Sequence, residues 1–245
     1  MTTTQPTHRV HVLGHPLDLV DLEWAARYLA ERAHARQATS VVTLNPELVV
    51  RAQRDATVHA AIQDATLIVP DGIGVVWAAT RAGHTVPGRV PGVELALRLL
   101  ELGGPDLPTF FLGAKPGVAQ RAAEAAHARF GTPIAGQHDG YFPATRDEAI
   151  AELVRASGAR IVLVGLGERQ EPFVAQHLSA FGPVVALSVG GTLDVLAGEA
   201  RRTPTWTHRW GLEWAWRIAA DPSRWHRAPR LAQFVWRVLR APRRT

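Results

Sequence analysis

The chain has no cysteine, one methionine (Met1) and one lysine (Lys115) among its 245 residues. Without cysteine there is no disulfide, no thiolate nucleophile and no Cys-ligated zinc, a composition that suits a reducing compartment. No apolar run approaches the roughly 20 residues of a bilayer-spanning helix, so any membrane contact is expected to be peripheral. Residues 1–7 are polar and contain no apolar segment of the secretory type, which places the expected location in the cytoplasm, at the inner face of the plasma membrane. No Asp-x-Asp pair occurs, and His11 and His15 fall on a strand and its following loop rather than on one helix face. No metal is therefore expected in the chemistry.

What the chain has in excess is arginine, and the excess is uneven. Residues 201–245 carry eleven arginines, two acids and six of the eight tryptophans, a formal charge of +9 against −4 for residues 1–200. Since 26 of the 27 basic residues are arginine, the clustering carries the argument and not the residue type. Arginine grips phosphate in a bidentate fork and tryptophan favours the water–lipid boundary, so the tail reads as a surface for phosphate groups or an anionic membrane. A merely solvated basic tail would lack the interleaved tryptophans. Trp210, Trp214, Arg217 and Ile218 share one helical face, and Leu231, Phe234, Val235 and Val238 form a second apolar stripe. Such helices lie in a membrane interface, dock on their own body or make a subunit contact, and periodicity leaves these open, oligomeric state included. The expected organisation is a body over residues 1–200, long enough for a full core, and a helical membrane-associating appendage over residues 201–245.

The body alternates short β-branched runs with longer helical patterns, the signature of βαβ units. Strands are expected at residues 10–13, 40–44, 66–69, 109–112, 134–137, 160–164 and 184–188, with helical stretches at 18–36, 46–63, 117–130, 146–156 and 170–180. That pattern predicts an α/β, Rossmann-like three-layer sandwich with a mainly parallel sheet. Ligands in such sheets bind beyond the carboxyl ends of the strands.

Four strand ends carry polar groups. Asn45 precedes Pro46 and suits a helix cap, while Thr43 lies two residues earlier on the same side. Asp71 and Gly72 form an Asp-Gly step that is most often a turn. Gly165 and Gly167 open a glycine-rich turn into Gln170, whose amides could meet a phosphate, although the third glycine of a dinucleotide fingerprint is missing. Gly190 and Gly191 form a further turn that ends in Asp194. Taken singly, each residue reads as a cap, a turn former or an ordinary helix-start residue.

The order of these elements is more specific than any one of them. Thr43-x-Asn45-Pro46-Glu47, Pro70-Asp71-Gly72, Gly140-Tyr141-Phe142, Gly165-x-Gly167 followed by Gln170-Glu171, Gly190-Gly191-x-x-Asp194, Arg202-x-Pro204-x-Trp206 and Gly211-Leu212-Glu213-Trp214 together resemble the WecG/TagA/CpsF glycosyltransferases, glycosyltransferase family 26. The resemblance spans roughly residues 10–230. It implies inverting transfer from a UDP-sugar donor to a polyprenyl-diphosphate-linked sugar acceptor, with N-acetylmannosamine or a related sugar moved in teichoic acid or surface polysaccharide synthesis. In the family pattern Asp71 is the general base, and Thr43, Asn45, Arg89, Gln170 and Asp194 fall on pocket positions. Arg217, Arg224 and Arg227 fall on tail arginines that close over the diphosphate, and no cofactor is implied.

This division of labour suits the chemistry. A carboxylate must take the acceptor hydroxyl's proton, and arginines or a metal must stabilise the departing diphosphate. The chain departs from the family where Glu168-Arg169-Gln170-Glu171 replaces a Pro-Lys-Gln-Glu run and where Thr203 replaces an alanine. Glu168 brings a negative charge toward the diphosphate site, which bears on the donor. The competing readings are a different UDP-hexose or uronic acid donor, a nucleotide-dependent oxidoreductase, and a non-catalytic module binding RNA or anionic lipid through the tail. The oxidoreductase is disfavoured because the first strand runs into Gly14-His15-Pro16-Leu17 and not into a glycine fingerprint. Nucleic acid is not the expected partner.

Overall fold

The computed structural model describes residues 8–199 and 228–241. The chain begins with an antiparallel hairpin of β1 (Arg9–Val12) and β2 (His15–Asp18). Six further strands build the main sheet: β3 (Thr39–Leu44), β4 (Leu67–Pro70), β5 (Thr109–Gly113), β6 (Ile134–His138), β7 (Ile161–Gly165) and β8 (Val185–Ser188). They pair in the order β4-β3-β8-β7-β5-β6, and every pairing is parallel.

The helices among the described residues are α1 (Leu22–His34), α2 (Pro46–Ala52), α3 (Ala56–Gln63), α4 (Ile73–Arg81) and α5 (Gly92–Gly103). They continue with α6 (Val118–Phe130), α7 (Asp147–Ala156), α8 (Gln170–Phe181), α9 (Thr192–Leu196) and, near the C-terminus, α10 (Ala228–Arg240). Alternate strand residues point to opposite faces, so a sheet covered on both sides needs apolar residues at nearly every position. Val41, Val69, Phe111, Leu163 and Leu187 meet α1, α5, α6 and α9 on one face. Val42, Leu44 and Ile68 meet α2, α3, α4 and α10 on the other, and Phe110, Leu112, Val162 and Val164 continue that face under α7 and α8. The Rossmann-like sandwich expected from the sequence is the fold observed.

Several elements differ in detail. The first strand belongs to the hairpin and not to the parallel sheet, and His15 lies in β2, where a loop is expected. Leu13 and Gly14 turn the chain with φ of 51° and 85°, the double positive φ of a type I′ hairpin, normally signalled by Asn-Gly or Asp-Gly. Leucine in that place hides the turn. The stretch 46–63 is two helices, because Asp55 accepts from the amides of Thr57 and Val58 and starts α3 afresh. Two further helices, α4 and α5, stand where no helical stretch is expected; their N-caps Gly72 and Pro91 make no side-chain hydrogen bond, as is also true of α6, α7 and α8.

The C-terminal helix α10 docks on the body. Phe234 and Val238 are buried in one cluster with Leu48, Val75 and Ala78, whereas Val235 of the same expected stripe is exposed. Arg81 secures the seat by donating to the carbonyl oxygens of Val238 and Leu239 at 3.0 and 3.2 Å.

Candidate functional site

A parallel sheet brings all its carboxyl ends to one edge. Four of those ends are consecutive, in the order β4, β3, β8, β7, and they carry Asp71, Thr43 with Asn45, Gly190 with Gly191, and Gly165 with Gly167 to neighbouring places on that edge. The chain leaves β3 toward β4 on one side, whereas β8, its other neighbour, is reached from β7. The reversal of direction that opens a cleft in doubly wound sheets falls between β7, which leads toward β8, and β5, which leads the other way to β6.

Thr43 is buried at the end of β3 and donates through Oγ1 to the main-chain oxygen of Ser188 at 3.3 Å, tying β3 to β8 across 145 residues. Asn45 caps α2: its Oδ1 accepts from the amide of Leu48 at 3.0 Å, and its Nδ2 donates to the carbonyl oxygen of Thr43 at 3.4 Å. An amide group has two N–H donors, so this cap leaves one for another partner. The amide of Asp71 donates to the carbonyl oxygen of Leu44 at 2.8 Å, which pins the Asp-Gly step against the end of β3. Asp71 is half-buried just ahead of α4, where the positive end of the helix dipole favours the carboxylate. Arg89 lies on the segment that returns along β4, held by the amide of Val90 donating to the carbonyl oxygen of Pro70 at 2.8 Å.

Gln170 is the hub of a buried relay. Its Oε1 accepts from the amide of Gly190 at 3.2 Å, and its Nε2 donates to Oε1 of Glu171 at 2.8 Å. The other oxygen of Glu171 accepts from Arg51 at 3.0 Å, and Arg51 also donates to the carbonyl oxygen of Glu168 at 2.7 Å. One chain of contacts thus joins α2, the turn after β7 and the turn after β8. Burial pushes the Glu171 carboxyl above the usual carboxylate range, against the pull of Arg51 and Gln170. The two turns also touch directly: a Cβ on Gly165 would stand 2.8 Å from the carbonyl oxygen of Gly190, so only glycine admits this approach. Gly190 itself has φ of 49°.

The family departure at Glu168 has a structural partner. Its carboxylate accepts from Arg230 of α10 at 2.8 Å, so the extra negative charge is matched by the C-terminal helix. Arg169 donates to Asp147 at 2.5 Å and to the carbonyl oxygen of Phe142 at 2.9 Å, with its guanidinium over the Phe142 ring. Asp194 sits in the first turn of α9, its Oδ2 3.6 Å from where a Cβ on Gly191 would stand. Arg217, Arg224 and Arg227 lie outside the described residues. Among the described residues no three His, Asp or Glu side chains converge as a metal-holding group.

Arg51, Glu171, Ser188 and Arg230 are connected to the site without having been singled out from the sequence. Glu171 stands inside the quoted Gln-Glu pair. Arg51, 120 residues away from it, carries no motif at all.

Comparison with known proteins bears on the same residues. The profile of the Glycosyl transferase WecG/TagA/CpsF family matches residues 10–245. The chain is similar to the N-acetylglucosaminyldiphosphoundecaprenol N-acetyl-beta-D-mannosaminyltransferase of Bacillus spizizenii, with 34% identity over 206 residues that cover 83% of this chain and 79% of that protein.

Proposed function

Because the chain belongs to the WecG/TagA/CpsF family of glycosyltransferases, we propose that it moves an N-acetylmannosamine-type sugar from a UDP-sugar to a polyprenyl-diphosphate-linked N-acetylglucosamine, with inversion. The reaction serves teichoic acid linkage-unit or surface polysaccharide synthesis. The observation that carries this reading is the convergence of Asp71, Thr43, Asn45 and two glycine turns at four consecutive strand ends. Asp71 takes the proton of the acceptor hydroxyl as its oxygen attacks the anomeric carbon from the face opposite UDP. The anomeric C–O bond to the diphosphate breaks, and UDP leaves with its electron pair.

The glycine turns and Gln170 hold the donor, with Arg89 and Asp194 at the pocket's margins. Gln170 acts there through the Gly190 turn that it orients. Arg217, Arg224 and Arg227 stabilise the leaving diphosphate, whose charge grows in the transition state. No helix among the described residues is long and apolar enough to cross a membrane. In our reading the enzyme works peripherally at the cytoplasmic face of the plasma membrane, held by its basic, Trp-rich tail on anionic lipid.

The test is transfer from labelled UDP-N-acetylmannosamine to a short-chain prenyl-diphosphate N-acetylglucosamine, comparing wild type with Asp71→Asn. The variant should fold and lose about 10² to 10⁴ in kcat, the contribution of one positioned base. Equal turnover by both proteins would remove Asp71 from the mechanism. No turnover by the wild type would reject this donor and acceptor pair and lead to other UDP-sugars.

A further inference from the structure

Two exposed apolar side chains stand on the helix that follows Asp71. Ile73 and Trp77 occupy the first and fifth positions of α4 and remain 45% and 38% exposed. Positions i and i+4 share a helix face, so the two form one ridge about 6 Å long that starts two residues from the carboxylate. The packed side of α4 is a different one: Val75, Ala78 and Ala79 are in the core, and a Cβ on Gly74 would meet Pro46 and, at 3.4 Å, the Phe234 ring. The ridge is therefore not a core face turned the wrong way.

The neighbouring surface has the same character. Helix α10, in contact with α4 through Gly74 and Arg81, exposes Val235, Trp236 and Leu239, and the Arg240 guanidinium lies 4.0 Å over the Trp236 ring. Exposed apolar side chains thus stand on both α4 and α10, two helices in contact with each other.

We propose that the Ile73–Trp77 ridge grips the first isoprene units of the acceptor's prenyl chain, an inference that rests on the acceptor class proposed above. The acceptor hydroxyl must reach Asp71, and only a sugar and a diphosphate separate that hydroxyl from the hydrocarbon. The apolar chain therefore begins a short reach from the base, where the ridge stands. The hydrocarbon of bulk bilayer lipids lies behind a headgroup layer and does not come so close to a working carboxylate.

The test is the double variant Ile73→Ser/Trp77→Ser, assayed with two acceptors that share one sugar diphosphate, one on a long prenyl chain and one a short acceptor whose diphosphate ends in a single methyl group that offers the ridge no chain to grip. The expected result is a rise of about tenfold in KM for the prenyl acceptor, because its first isoprene units no longer bury apolar surface against the helix. Kinetics on the short acceptor and the melting temperature should be unchanged, and Trp77→Phe should retain most of the wild-type KM. Equal losses on both acceptors, or none on either, would overturn the proposal. So would a loss of binding to anionic phospholipid vesicles that contain no acceptor, which would assign the ridge to the bilayer instead. If the wild type transfers no sugar from any UDP donor, the proposed reaction fails, while binding of a labelled sugar-free prenyl diphosphate still reads the ridge. Weaker binding by the variant supports the proposal, and equal binding overturns it.

Discussion

Glu171 holds together parts of the chain that are far apart in sequence, and it does so from a buried position. It receives Arg51 from α2 and Gln170 from its own helix, and Gln170 in turn holds the amide of Gly190. Removing one member of a buried pair leaves the other charge without compensation, which costs more than the pair itself contributes. We expect Glu171→Ala to lower stability by about 3 kcal/mol in urea unfolding, and to raise donor KM more than it lowers kcat, because the Gly190 turn loses its brace. Glu171→Gln should be milder, since it keeps an acceptor for Gln170 and burial already disfavours the charged form. A loss below about 1 kcal/mol in the alanine variant would show that Arg51 and Gln170 find substitute partners. None of this can be read along the sequence, where Arg51 is one arginine among many and its partner lies 120 residues away. Asp71, by contrast, is legible because the motif around it is compact.

At the scale of elements, legibility followed burial and punctuation. Strands β3, β5, β7 and β8 are buried on both faces and bounded by polar or glycine steps, so they stand out as short runs with an apolar or β-branched centre. Strand β2 does not, because its turn uses Leu13 and because Pro16 interrupts its donors. Proline is nonetheless tolerated there, since a two-stranded hairpin has an open edge. Helices α4 and α5 escape, although their uncapped starts are shared by α6, α7 and α8, which periodicity does pick out.

The hairpin also has a pH signature. His15 is buried beside His59, with ring centroids 5.3 Å apart. Burial, then repulsion from His59 and His11, lowers its pKa from 6.5 to about 4. Between those values the unfolded chain binds the proton and the native state does not, so stability falls as pH drops from about 6.5 toward 4. The loss should be on the order of 1–2 kcal/mol in urea unfolding at about pH 4.5 against pH 7, and absent from His15→Gln. Glu171, with its raised pKa, works in the opposite direction above pH 4.5. The difference between wild type and His15→Gln therefore isolates the hairpin; parallel pH profiles would show that His15 does not titrate differently on unfolding.

Across the whole molecule, charge and packing divide the chain differently. By charge the last 45 residues are a separate material, +9 against −4, and composition makes that contrast plain. By packing, α10 belongs to the core beneath it, which helical periodicity could only leave open beside the membrane reading. Phe234→Ala should therefore destabilise the protein by about 3 kcal/mol or more, as for other large buried rings. A melting temperature unchanged by that substitution would mean that α10 contributes nothing to the body's stability.

The seat of Phe234 and Val238 also sets an order of events in synthesis. The side of the sheet formed by α2 and α4 is closed by residues made long after those helices, and β3 must find β8 across most of the chain. A nascent chain halted before α10 holds Asp71 just ahead of a helix whose flank still faces water at Gly74. The α4 side of the sheet is finished only once α10 has been made, so a chain stopped before Ala228 is a folding intermediate rather than a smaller copy of the fold.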